Sequence, residues 1–228
     1  MKKLLSFILS IFYCGIILAQ DFKADIKSVN NYYNTAQNFT STVTTKVLGP
    51  KDKAMGTYKM TLYKNKSSFA YEIQNVVVIL SEKYFLTVDK VGKMIDCKRI
   101  KDKKKLSEMM SQQLDAVLNK LEGVSYKGIT NGNKHYYIEL SDAVVTSIDL
   151  YIDAKQPRYT KMIYYYNREK EPSGAERAVI EFEKSDLSSE ALTSLFSEET
   201  YLNFEKTQPS KHAKYKSYTL VMDNKLIK

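Results

Sequence analysis

The chain has 228 residues, 43% of them hydrophobic, and its 35 lysines and arginines outnumber 26 aspartates and glutamates for a net charge of +9. That length is enough for one large domain, and an all-β domain of this size is usually single. With two histidines, two cysteines and eight glycines, the composition excludes a paired-imidazole metal site and a glycine-rich phosphate loop, so no cofactor is expected.

Lys2 and Lys3 precede an apolar run from Leu4 to Leu18 that ends in Ala19-Gln20-Asp21, the layout of a secretory signal peptide. A retained anchor is the alternative, since about 20 apolar residues span a bilayer, but the polar chain after Ala19 favours cleavage. Residues 1–19 are therefore read as a signal peptide and 20–228 as a single domain. Cys14 before Gly15 invites a lipoprotein reading, yet Phe12 and Tyr13 stand where a lipobox needs small side chains. Without the leader Cys97 is the only thiol, so no internal disulfide forms, and it is read as a small strand hydrophobe. Losing Lys2 and Lys3 leaves +7 (9 minus 2). For an exported basic protein the natural acidic partners are lipid head groups or cell-wall polymers rather than nucleic acid.

Asp21 to Gln37 reads as a helix, with Ile26, Val29, Tyr32, Tyr33, Ala36 and Phe39 at helical spacing. Asn38 to Leu48 alternates, with Phe39, Val43 and Val47 on one side, and is the first expected strand. From Gly56 to Ile100 the chain reads as an antiparallel meander. Tyr58, Met60 and Leu62 alternate with Lys59, Thr61 and Tyr63, Lys64 to Ser67 is a turn, and Phe69, Tyr71 and Ile73 alternate with Ala70, Glu72 and Gln74. The apolar run Val76 to Leu80, then Tyr84 to Val88 and Met94 to Ile100, supply further strands. Such a meander must close or be covered, because an open sheet exposes a face and two edges.

Lys98 to Lys105 holds six basic residues in eight, and the period then changes. Leu106, Met109, Met110, Leu114, Val117, Leu118 and Leu121 share one helical face, with Gly123 as the expected C-cap. Strands resume at Val124 to Thr130, Lys134 to Leu140 after the hairpin signal Asn131-Gly132, Val144 to Asp153, Arg158 to Tyr166 and Arg177 to Lys184. Ser188-Ser189-Glu190 caps a short helix, Ala191 to Phe196, and Tyr215, Tyr218, Leu220 and Met222 mark a last edge strand.

This order resembles the outer-membrane lipoprotein carrier (LolA-like) family. The residues that carry the resemblance are Ile26 to Phe39 leading into the first strand, Gly56-Thr57-Tyr58-Lys59-Met60, Phe69-Ala70-Tyr71 and Tyr84-Phe85-Leu86-Thr87-Val88. Carriers of the main type have an arginine where Ala70 stands, and tryptophans on their strands where this chain has none. The resemblance implies a mainly β fold with helices (α+β): an incomplete curved antiparallel β-barrel covered by two or three helices, holding acyl chains on its concave face.

Candidate roles follow. The expected ligand-facing set is Tyr58, Met60, Leu62, Phe69, Tyr71, Ile73, Leu86, Ile148, Leu150, Met162 and Tyr164, with Ile152, Ile180 and Phe182 on the same inward faces. The alternative for each is plain core beneath the helices. Met109, Met110 and Leu114 suit a lid, because thioethers adapt to varied chains. Lys101, Lys103, Lys104 and Lys105 suit a membrane or partner contact, since positive charge at a helix N-terminus is otherwise unfavourable. A Cys97–His135 nucleophile and base is two residues of the right type and far short of a constellation. The expected function is a non-enzymatic, monomeric periplasmic carrier of lipid or lipoprotein acyl chains. The rival is an envelope interaction or scaffold module with a filled core and a partner at an edge strand or near Tyr164 to Tyr166.

Overall fold

The computed structural model describes residues 22–65, 68–81, 83–100, 121–141, 144–183, 197–204 and 209–227 of the chain. The leader, the lysines 101, 103, 104 and 105, the helix expected from Leu106, with Met109, Met110 and Leu114 on it, and the short helix from Ala191 lie outside the described residues.

Helix α1 spans residues 22–35 and buries Phe22, Ile26 and Val29, a spacing of four and three that keeps them on one stripe. Eleven strands follow in the body of the chain: β1 (Asn38–Leu48), β2 (Ala54–Asn65), β3 (Ser68–Ile73), β4 (Val76–Leu80), β5 (Tyr84–Asp89), β6 (Met94–Ile100), β7 (Leu121–Thr130), β8 (Asn133–Leu140), β9 (Val145–Asp153), β10 (Tyr159–Tyr166) and β11 (Arg177–Phe182). A two-residue pair, β12 (Leu202–Asn203) with β13 (Ser210–Lys211), precedes the last strand, β14 (Thr219–Ile227).

Twelve strands form one sheet in the order β14-β6-β5-β4-β3-β2-β1-β11-β10-β9-β8-β7. The series runs from β14 to β7 without the two ends pairing, so the fold is mainly β with a helix and its sheet is unclosed, as expected of an incomplete antiparallel barrel. The parallel exception is at one end, where β14 lies beside β6 with Leu220 opposite Ile95 and Met222 opposite Cys97.

Local chemistry explains several boundaries. Asn131 (φ 50°) and Gly132 (φ 76°) both take positive φ, the requirement of the tight turn that joins β7 to β8. Gly123 does not cap a helix: it lies within β7 opposite Glu139, and Leu121 already belongs to that strand. Lys64 and Asn65 are the last residues of β2 rather than turn residues, pairing with Phe69 and Ser68. Of the tail tyrosines, Tyr215 lies in a short 3-10 turn (Ala213–Tyr215) and Tyr218 precedes β14.

The chain divides into two compact units. The first comprises Met1–Thr35, Thr45–Thr57 and Val117–Glu181, the second Ala36–Thr44, Tyr58–Ala116 and Phe182–Lys228. In the first, α1 packs on the face that carries Tyr136, Ile138, Ile148, Leu150 and Ile152, all buried. Phe22 meets Tyr136 edge to face at 5.2 Å, and Tyr33 stacks on Tyr159 at 6.3 Å. Asp25 anchors the helix there: its carboxylate accepts from Lys134 Nζ at 2.8 and 2.9 Å and from the Tyr136 hydroxyl at 2.6 Å.

In the second unit the core is Ala70, Val77, Ile79, Leu86, Val88, Ile95 and Cys97, covered by Tyr201, Leu202 and Tyr215. Tyr84 stacks on Phe204 at 5.1 Å, and the rings of Tyr201 and Tyr215 lie 5.0 Å apart. The chain's own later residues thus seal one face of β3 to β6.

Candidate functional site

Register decides which side chains share a face, because directly paired residues on neighbouring strands point the same way. In the second unit, Ala70 pairs with Ile79, Ile79 with Leu86 and Leu86 with Cys97, which puts all four in the core just described. The opposite face is built from three rows. One runs Met60, Ile73, Val76, Asp89, Met94. The next runs Leu62, Tyr71, Val78, Thr87, Asp96, Val221, and the third Lys64, Phe69, Leu80, Phe85, Lys98.

Apart from Lys64, this Leu62 face is apolar on β2, β3 and β4 and becomes mixed from β5 onward, where Thr87, Asp89, Asp96 and Lys98 stand among Phe85, Met94 and Val221. The apolar part is three strands wide and three rows long, about 10 Å by 14 Å at ordinary strand spacings. Most of its residues are half-buried or exposed, with Val78 and Lys64 buried among them. Among the described residues eight large hydrophobic side chains are exposed, and four of them stand on the Leu62 face as a whole: Tyr58 (40%), Tyr71 (37%), Met94 (41%) and Val221 (43%). Tyr58 stands two residues before Met60 on β2 and so shares its side.

Lys64 is the anomaly of the face. It is only 7% exposed, its Nζ donates to the carbonyl of Ala36 at 2.6 Å, and it lies 5.7 Å from the centre of the Phe69 ring. Burial pushes its ammonium below the usual lysine range, because a charge leaving water is disfavoured. At the far end of the same row, Lys98 Nζ is 3.3 Å from Asp96.

The structure brings together six of the expected ligand-facing residues, Tyr58, Met60, Leu62, Phe69, Tyr71 and Ile73. Leu86 is not among them: it is fully buried on the other face, beneath Tyr201 and Leu202. Ile148, Leu150 and Ile152 are buried in the first unit on the face that α1 covers. Met162 and Tyr164 pair with Leu150 and Ile148 there, and both are half-buried. Ile180 pairs with Met162, while Phe182 ends β11 half-buried. Tyr159 on the same face has its hydroxyl pushed up to about 12, chiefly by burial and then by Tyr33 and Tyr164.

Sequence reasoning missed Val78, Leu80, Phe85 and Lys64 as members of the Leu62 face. Register is the signal that finds them, since β4 is apolar at all five positions and alternation is silent there.

Two other arrangements are chemically weaker. Cys97 is fully buried and its thiol is pushed up to about 11, by burial first and then by Asp96 and Glu198, so it is no exposed thiolate nucleophile. His135 is engaged elsewhere, with Nε2 2.6 Å from Asp149, which also accepts from the Tyr165 hydroxyl at 2.8 Å, and with its ring stacked on Tyr151. A cleft of about 190 Å³ in the first unit is lined by Asp25, Lys134, Asp153 and Lys155 among others. Its charged rim is no place for an acyl chain.

Neither a protein-family model nor a curated protein matches the sequence. Solved structures do. An uncharacterized conserved protein from Thermus thermophilus is 9% identical, with 89% of this chain and 99% of that one covered at a TM-score of 0.52, a likeness of fold. Lipoprotein LppX from Mycobacterium tuberculosis is 10% identical over 71% of this chain and 93% of its own, at a TM-score of 0.41. A LolA superfamily protein from Nitrosomonas europaea is 9% identical, with 78% of this chain and 98% of that one covered at a TM-score of 0.35. A LolA superfamily protein thus stands, at low identity, among the solved structures to which this chain is similar.

Proposed function

We propose that this chain is a divergent LolA-like carrier, exported to the periplasm by a cleaved signal peptide, that binds acyl chains of a lipid or lipoprotein on the Leu62 face. One observation carries the reading. The second unit's sheet has one face sealed by Tyr201, Leu202 and Tyr215, and on the other an apolar patch over β2 to β4, on a face that holds half of the exposed large hydrophobics among the described residues. A sheet apolar on both faces needs cover on both. Each methylene buried there contributes about 0.8 kcal/mol, so a single acyl chain has enough to gain.

The test is native mass spectrometry of the purified chain for bound lipid, with titration of a fluorescent acyl probe against wild type and Leu62→Arg. Bound lipid is expected, with affinity at least about tenfold weaker in the variant and an unchanged unfolding midpoint. A chain free of lipid and without affinity for acyl probes overturns the proposal.

The first unit favours a second reading, an envelope interaction module with a filled core, because Ile148, Leu150 and Ile152 are already buried beneath α1. Recovery of one stoichiometric protein partner, unaffected by Leu62→Arg, is what that reading expects.

A further inference from the structure

The charges on the Leu62 face are not scattered. The three apolar residues Phe69, Leu80 and Phe85 are flanked on their own row by Lys64 on β2 and Lys98 on β6. Two rows away, Met60, Ile73 and Val76 lead instead to Asp89, whose carboxylate already accepts from the backbone N–H groups of Val91 and Gly92. Asp96 stands on the row between, drawn towards Lys98. Along the strand direction the apolar patch therefore has a basic end and an acidic end, roughly 14 Å apart.

An uncharged acyl chain gains nothing from that polarity, whereas an amphiphile with a charged head is oriented by it. Resting on the carrier reading above, we propose that the amphiphile this face takes bears an anionic head, a carboxylate or a phosphate, seated beside Lys64 with its chain running over Leu62, Tyr71 and Val78 towards Met60 and Ile73. The charge complementarity is specific to that end: the same head at the opposite end meets Asp89. Burial strengthens the effect at Lys64, because an ammonium drawn out of water interacts more strongly with an anion brought beside it.

The experiment displaces a bound fluorescent acyl probe from the purified chain with four ligands that share one lauryl chain: laurate, lauryl phosphate, monolaurin and lauryl trimethylammonium. Laurate, lauryl phosphate or both are expected to bind about tenfold more tightly than monolaurin, the worth of one charge-assisted hydrogen bond, and the ammonium least well. Whichever anion binds more tightly assigns the head as carboxylate or phosphate. Lys64→Met is expected to abolish most of the anion preference, whereas Lys98→Met, about 19 Å along the row and paired with Asp96, is expected to change it less than about twofold. Should Lys64→Met fail to fold, Lys64→Arg keeps the charge and is expected to keep the preference, and the four-ligand comparison on the wild-type chain still decides the head. Equal binding of all four ligands overturns the anionic head while leaving the carrier reading intact. Absence of binding by any of them overturns the carrier reading itself.

Discussion

The face beneath α1 in the first unit and the Leu62 face in the second are made of the same kinds of residue and differ in what happens to them. Under α1, Tyr136, Ile138, Ile148, Leu150 and Ile152 are buried together with Phe22, Ile26 and Val29. On the Leu62 face, Met60, Leu62, Phe69 and Ile73 are half-buried, and Tyr58 and Tyr71 are exposed. Apolar composition does not separate the two. What does is the cover itself: α1 lies over the first, where Asp25 reaches down to Lys134 and the Tyr136 hydroxyl and fixes the helix against its sheet.

The largest expected effect breaks the comparison if it fails. Leu150→Ala, at a site only 3% exposed, is expected to cost about 2–5 kcal/mol in urea unfolding, since a buried leucine leaves both a lost transfer energy and a cavity. Leu62→Ala is expected to cost under about 1 kcal/mol. Equal costs mean that the Leu62 face is ordinary core. Next in size is Asp25→Ala, which strips Lys134 and Tyr136 of their shared acceptor and is expected to cost about 1–3 kcal/mol. Dye binding to newly exposed apolar surface, raised in Asp25→Ala and not in Leu62→Ala, distinguishes a loosened helix from a merely weakened strand.

Much of the fold was legible because turns and alternation agreed. Asn38 to Leu48 was bounded as a strand by its alternating threonines and valines, and Asn131-Gly132 set the β7–β8 hairpin. The faces were harder to read. Val76 to Leu80 is apolar throughout, so it carries no period, and alternation alone groups Leu86 with Met60 and Leu62 whereas register puts it on the opposite face. The core's cover comes from Tyr201, Leu202 and Tyr215, more than a hundred residues beyond the strands they seal, and no local pattern announces such a contact. Lys64 looked like a turn residue because a lysine beside Asn65 usually is one, yet here β2 runs on through both. Gly123 looked like a helix end for the same local reason, and long-range pairing with Glu139 made it a strand residue.

Alkaline titration is expected to have a smaller effect. Cys97 is held up from 9.0 to about 11, and Tyr159 and Tyr165 from 10.0 to about 12, chiefly by burial in each case. The folded chain thus keeps protons that the unfolded chain gives up sooner. The stability these groups contribute is whole below their unfolded values and is lost as pH climbs through the folded ones. The urea midpoint is therefore expected to be flat up to about pH 9 and to fall between about pH 9 and 12. Tyr159 stacks on Tyr33 beneath α1, so Tyr159→Phe is expected to shallow the upper part of that fall, and Cys97→Ala the lower part. A profile unchanged in Tyr159→Phe means that the ring is not held away from water by the helix.

The smallest expected effect on stability is at Tyr71, and it is the most direct probe of what the Leu62 face is for. The ring stands between Leu62 and Val78 on its row and is 37% exposed, so Tyr71→Thr keeps a residue that suits a strand and gives up only partial burial. A change in unfolding free energy within about 0.5 kcal/mol is expected, as at other surface positions. Affinity for an acyl probe is expected to fall about fivefold in the same variant, because a ring that is cheap to remove from the folded chain gains its burial when a ligand lies across it. A large loss of stability with unchanged affinity reverses the assignment, making Tyr71 a structural residue and the second unit as fully packed as the first.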